Sequence, residues 1–232
     1  MILHEIRSRL ASLASPETAR ILQGFFKTGP GQYGEGDRFL GVRVPAIRAL
    51  SRNFPDVELD TVADLLRSHW HEERLLALLL LMRHFAEGAP HERQSAYQTY
   101  LANTAWINNW DLVDLSAPHV PGAYLADQAR APLYRLARSP AWWERRIAMV
   151  ATLHFIRHDD FDDALRLAEH LLNDREDLLH KASGWMLREV GKRDQKRLET
   201  FLQQHSRAMP RTMLRYAIER LPETLRLAYL RK

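Results

Sequence analysis

The chain has 232 residues, of which 46% are apolar and 27% charged, with no cysteine and a formal charge of +4. That apolar content can bury a core as one domain or one continuous stack of repeats, and it excludes a disordered chain. Without cysteine there are no disulfides, thiolate nucleophiles or Cys-ligated zinc or iron–sulfur centres. Glu5 and Arg7 interrupt the first ten residues, so no leader is read there. The longest apolar run, Leu75 to Met82, is far shorter than the roughly 18 residues a membrane span needs. A cytoplasmic protein with no membrane partner is the expectation.

In chain order, His4 to Leu22 carries apolar residues at helical spacing, with Ser15 and Pro16 offering an N-cap and a first-turn proline. A glycine-rich connection from Thr28 to Asp37 follows, expected to be flexible. The pattern then predicts helices over Val44–Asn53 and Leu59–Ser68. Beyond the apolar run come helix pairs: Ala89–Leu101 with Trp106–Ala117, Pro121–Ala137 with Ala141–His158, and Asp162–Leu172 with Leu178–Val190. A last pair is predicted at Gln195–Gln204 and Arg211–Leu221. No segment shows the Val, Ile and Thr alternation of a strand, so the expected fold is all-α.

An internal repeat of about 36 residues underlies this order. Arg74, Trp110, Arg146, Lys181 and Arg215 stand 36, 36, 35 and 34 residues apart. Four residues beyond them stand Leu78, Asp114, Val150, Trp185 and Glu219, each one helical turn onward on the same face. Helix pairs at this period define an α-solenoid of HEAT-like repeats, because a short pair buries its apolar stripe only against the next pair. A single domain over residues 1–232 with a concave basic face is expected. Cations concentrate at the C-terminus, where Arg207, Arg211, Arg215, Arg220, Arg226, Arg231 and Lys232 meet only Glu219 and Glu223. Either a solvated face or a polyanion-binding surface produces such a pattern.

The motifs divide unevenly. Gly29 to Gly34 spells G-x-G-x-x-G, but a helix precedes it and proline takes the second position, so it is no dinucleotide site. Lys27, Tyr33 and Arg38 remain as candidate backbone contacts to a ligand. His69 with His71, and His154 with His158, lack a metal-binding arrangement, and no metal or cofactor is expected. Asp111 and Lys181 suit a structural ladder between repeats as well as a site. Asp114 lies in the last turn of a helix closed by Pro118, where the helix dipole disfavours a carboxylate unless a cation offsets it. Arg146, one repeat onward, is that cation. The pair reads either as a buried link between repeats or as a carboxylate displayed between the indoles of Trp110 and Trp185.

The segments running from Trp110 to Pro118, Trp143 to Ala148 and Lys181 to Glu189, in that order, resemble the AlkD-like DNA alkylation repair glycosylases. Phe25 to Gly29 and Gly41 to Pro45, with Arg48, resemble that family's N-terminal portion, and the likeness spans roughly residues 20 to 220. The resemblance implies a HEAT-like solenoid acting on duplex DNA, a monofunctional glycosylase hydrolysing the N-glycosidic bond of cationic N3- and N7-alkylated purines. It makes Asp114 the catalytic carboxylate, Trp110 and Trp185 the aromatic neighbours of the lesion's sugar, and Arg146 a backbone contact. Lys181, Arg43, Arg48, Lys27, Tyr33 and Arg215 complete the expected DNA-binding set, on a monomer. The loop from Thr28 to Asp37 departs from the family's best-understood members, whose connection there is shorter. The alternative is a catalytically silent HEAT-like module that binds nucleic acid or a protein.

Overall fold

The computed structural model describes residues 1–231; Lys232 of the basic C-terminal cluster lies outside them. Among the described residues the chain is helical throughout, and the only extended pairing is an isolated bridge between Arg38 and Trp70. Fifteen α-helices follow in chain order. They are α1 (Ile2–Ala11), α2 (Pro16–Phe25), α3 (Val44–Ser51), α4 (Leu59–Leu66), α5 (His71–Glu87), α6 (Pro90–Ala102), α7 (Trp110–Ser116) and α8 (Ala131–Leu136). Then come α9 (Trp142–Ala151), α10 (Leu153–Arg157), α11 (Asp162–His170), α12 (Asp177–Arg193), α13 (Gln195–His205), α14 (Arg211–Ala217) and α15 (Glu223–Leu230). Among the described residues no helix is long and apolar enough to cross a membrane.

The breaks have local causes. Ser15 accepts the Thr18 N–H at 3.2 Å and Pro16 opens α2, so the predicted first helix becomes two. Past Ser116 the chain does not stop at Pro118 but widens into one π-helical turn, Pro118–Gly122, with the Gly122 N–H on the Ala117 carbonyl at 2.9 Å. Pro132, at the start of α8, cannot donate into a preceding turn, so the helix expected over Pro121–Ala137 is interrupted before it. Thr152 turns its hydroxyl back to the Met149 carbonyl at 2.6 Å, which parts α9 from α10. The helix α15 was not expected from the pattern.

The chain divides within α7 into two compact units, Met1–Leu112 and Val113 onward. In the first, α4 and α6 pack on α5, and α1 and α3 close the other side around Ile6, Leu10, Ile47, Leu65, Leu66 and Leu76. Gly41 sits at φ +85°, and a Cβ there would lie 2.0 Å from the Ser15 carbonyl oxygen, so only glycine lets the chain pass α2. In the second unit α12 packs against α9, α13 and α14. Gly184 permits the approach of α14, since a Cβ would lie 2.4 Å from the Met213 carbonyl oxygen.

The expected flexible connection at 28–37 is folded into consecutive turns. The Gln32 and Asp37 N–H groups close on the Gly29 and Gly34 carbonyls, and the Gly29 and Gly31 N–H groups donate to the side chains of Gln32 and Glu35. Turn-forming residues satisfy their own backbone here, which glycine makes sterically possible.

Candidate functional site

In the N-terminal unit, four polar residues open α5 and all are buried: His71, Glu72, Glu73 and Arg74. Each has a partner that repays its desolvation. Glu72 takes the backbone N–H groups of Leu40, Gly41 and Val42 at 2.8–3.1 Å. Glu73 accepts from Arg7 at 3.0 Å, and Arg74 donates to Asp37 at 2.6 Å and to the Ser68 carbonyl at 2.9 Å. His71 places Nδ1 2.8 Å from Asp37 and Nε2 2.8 Å from Asp111. Carboxylates only accept, so both ring nitrogens donate and the ring is an imidazolium. Burial alone would depress its pKa, but the charge and hydrogen bond of Asp111 and then of Asp37 push it up to about 9. Burial likewise opposes ionisation of Asp37, yet His71 and Arg74 hold its carboxyl below the usual range.

This clasp ties the end of the 28–37 segment to the residue beside Trp110. The half-buried Trp110 ring stacks on Phe26 at 5.4 Å and meets the edge of Phe25 at 6.0 Å. Its indole N–H donates to the Tyr33 hydroxyl at 3.3 Å, which itself donates to the Phe25 carbonyl. Tyr33, expected as a phosphate contact, thus holds the edge of Trp110. Tyr33→Phe removes both bonds, and we expect a loss of about 1 kcal/mol, or about 2–4 °C in melting temperature. Thermal melts test this, and an unchanged melting temperature would show the hydroxyl to be idle.

In the C-terminal unit, Arg146 is 4% exposed and grips Asp114 with both faces of a fork, Nε to Oδ1 at 3.0 Å and Nη2 to Oδ2 at 2.8 Å. Its remaining Nη1 donates to the Leu178 carbonyl. Bidentate geometry fixes the plane of a carboxylate as well as its charge. Asp114 keeps 21% of its side chain exposed, so the oriented carboxylate still meets solvent. Lys181 pairs with Asp177 at 2.8 Å, and the indole N–H of half-buried Trp185 donates to Glu189 at 3.1 Å. Of the other expected contacts, Lys27, Arg43, Arg48 and Arg215 are exposed.

Sequence reasoning placed Trp110 and Arg146 at one register of the repeat and Asp114 and Trp185 one helical turn beyond it, and it missed the clasp. The signal was present in four consecutive ionisable residues leading an apolar run, with Asp37 closing a glycine-rich stretch far away in the chain.

An all-helical chain built on a repeat of helix pairs, with a carboxylate held by a buried arginine at a helix end, is the class that these features define. The model of the family described as DNA alkylation repair enzyme matches residues 6–221. The chain belongs to that family. Its fold is similar to that of a solved structure described as a predicted DNA alkylation repair enzyme from Enterococcus faecalis. The TM-score is 0.70 at 18% identity, over 90% of this chain and 97% of the other. No curated protein matches the chain.

Proposed function

We propose that the protein is a monofunctional DNA glycosylase that hydrolyses the N-glycosidic bond of cationic N3- and N7-alkylated purines in duplex DNA. The observation that carries this reading is the Asp114 carboxylate, gripped through both oxygens by Arg146 yet still one-fifth exposed at the end of α7. An alkylated purine already carries the positive charge that makes it a leaving group. As the bond to C1′ lengthens, charge passes to the deoxyribose as an oxocarbenium ion. A fixed carboxylate stabilises that ion without reorganising during the step, and it can orient the attacking water. By the resemblance to the alkylation repair glycosylases, Trp110 and Trp185 are assigned as π-faces toward that cation. The departing base keeps the bonding electron pair, water adds at C1′, and its proton is lost to solvent. Lys181 is committed to Asp177, so no Schiff-base step and no strand cleavage are assigned.

In this reading Arg146, expected as a phosphate contact, becomes the residue that orients Asp114. Phosphate contacts fall to the exposed Lys27, Arg43, Arg48 and Arg215. Arg146→Ala leaves a partly buried carboxylate without its fork, and we expect a stability loss of about 2 kcal/mol. That is below the roughly 3–5 kcal/mol of a fully buried pair, because Asp114 can rehydrate. Urea melts measure it, and a loss near zero would make the fork a passive contact.

The same ion pair favours a second reading, a silent helical-repeat module in which Asp114 only ladders two repeats. Incubation with duplex DNA carrying N7-methylguanine separates the two. The glycosylase releases free base and leaves the strand intact, whereas release at the spontaneous rate would leave only the module.

A further inference from the structure

An open cleft of about 400 Å³ lies in the N-terminal unit where α4 gives way to α5, lined by Arg7, Arg38, Arg67, His69, Trp70 and Glu73. Its charges do not cancel. Glu73 is the one carboxylate of the lining, and Arg7 holds it at 3.0 Å. Arg67 spends Nε on the Asn103 side chain at 2.8 Å and keeps its terminal nitrogens uncommitted, while the exposed Arg38 side chain has no hydrogen-bond or ion-pair partner among the described residues. Two guanidinium charges are therefore left without a counter-ion. Beside them Trp70 is 37% exposed. Its backbone is fixed, because its N–H donates to the Ser68 hydroxyl at 3.0 Å and the next residue, His71, donates its N–H to the Arg38 carbonyl at 2.8 Å, bridging Arg38 to Trp70. The His69 ring meets the Trp106 ring edge-on at 5.8 Å. Trp70 and Trp106 stand 36 residues apart, four ahead of Arg74 and Trp110, so the repeat sets an indole before each of two successive inner helices.

We propose that this cleft grips one nucleotide of an unpaired nucleic-acid strand, its base stacked on Trp70 and its phosphate on Arg38 and Arg67. Phosphate oxygens suit guanidinium donors. A base presents its face to an indole only when it is unpaired, and a cationic cleft with an aromatic platform holds a single strand whatever its sequence. The cleft has room for one nucleotide, whereas an intact duplex offers it phosphates alone. The grip uses neither Asp114 nor Arg146 and does not depend on the glycosylase reading.

Fluorescence anisotropy of the whole protein with three labelled DNAs of equal length tests it: oligothymidylate, the same strand without bases, and a duplex. We expect oligothymidylate to bind about tenfold more tightly than the baseless strand, the worth of one stacked base. Trp70→Ala should erase that advantage and leave the baseless strand and the duplex as they were. Trp70→Leu keeps apolar bulk without a π-face and repeats the test should the alanine variant melt early. Arg38→Ala removes a side chain that bonds to nothing, so folding is spared. It should weaken both single strands and shallow the dependence of log affinity on log salt by about 0.7. Equal affinity for the two single strands, or oligothymidylate binding indifferent to Arg38→Ala or to a folded Trp70 variant, would overturn the proposal. A loss at Trp70 shared equally by the duplex would overturn it too, making the cleft a duplex contact. Base release does not enter these readings, so a failed grip leaves the glycosylase standing, and an inactive protein that still prefers oligothymidylate leaves the grip standing.

Discussion

Asp114→Asn is expected to release alkylated purine about 100- to 1000-fold more slowly than the unaltered protein while binding duplex DNA with similar affinity. The amide fills the same volume and its oxygen still accepts one N–H from Arg146. It carries no charge, and electrostatic stabilisation of the oxocarbenium ion is what the proposed mechanism asks of the carboxylate. The amide N–H group must also face an Arg146 N–H where an oxygen now accepts at 2.8 Å. Some stability is therefore lost, and melts must show the variant folded at the assay temperature. Trp110→Ala and Trp185→Ala remove π-faces rather than a full charge, so their losses should be smaller, about tenfold. A folded Asp114→Asn variant that excises base at the normal rate would remove the carboxylate from the mechanism.

The helical class and the repeat were legible because both are written in periodicity. Apolar spacing near 3.6 named most of the helices, and the spacing from Trp110 through Arg146 to Lys181 named their register. What failed to show were breaks decided by single atoms, such as the Thr152 hydroxyl that parts α9 from α10. The site was legible in the same uneven way. Asp114 and Arg146 are one repeat apart, and repetition pairs them. Asp37, His71 and Asp111 obey no repeat, since they join the end of an irregular segment to the starts of two helices. Glycines marked the 28–37 connection as cheap to rearrange, but they did not announce that Asp37 at its end contacts His71 and Arg74. Tyr33 shows the same limit: its place in a loop did not announce that its hydroxyl spans Trp110 and Phe25.

The clasp should make the protein lose stability as the solution turns alkaline. His71 has a pKa near 6.5 in an unfolded chain and about 9 in the fold. Between those values the folded protein holds a proton that the unfolded chain has released. Stability from this group is therefore complete below about pH 6.5 and drains away as pH rises through about 9. The gap corresponds to on the order of 3 kcal/mol. Asp37, Asp111 and Arg74 are the charged groups around the ring, and the Asp37 carboxyl is held below the usual range, so the imidazolium is the group that changes. His154 runs the other way. Burial first, then His158 and His119, lower its pKa, so its contribution disappears only in acid, outside the window. Urea melts at pH 6, 7.5 and 9 should fall in sequence for the unaltered protein. His71→Gln cannot carry the charge, so it should start lower at pH 6 and change little up to pH 9. Parallel curves for the two proteins would mean that the ring is neutral in the fold, with one of its two carboxylate partners protonated in its place.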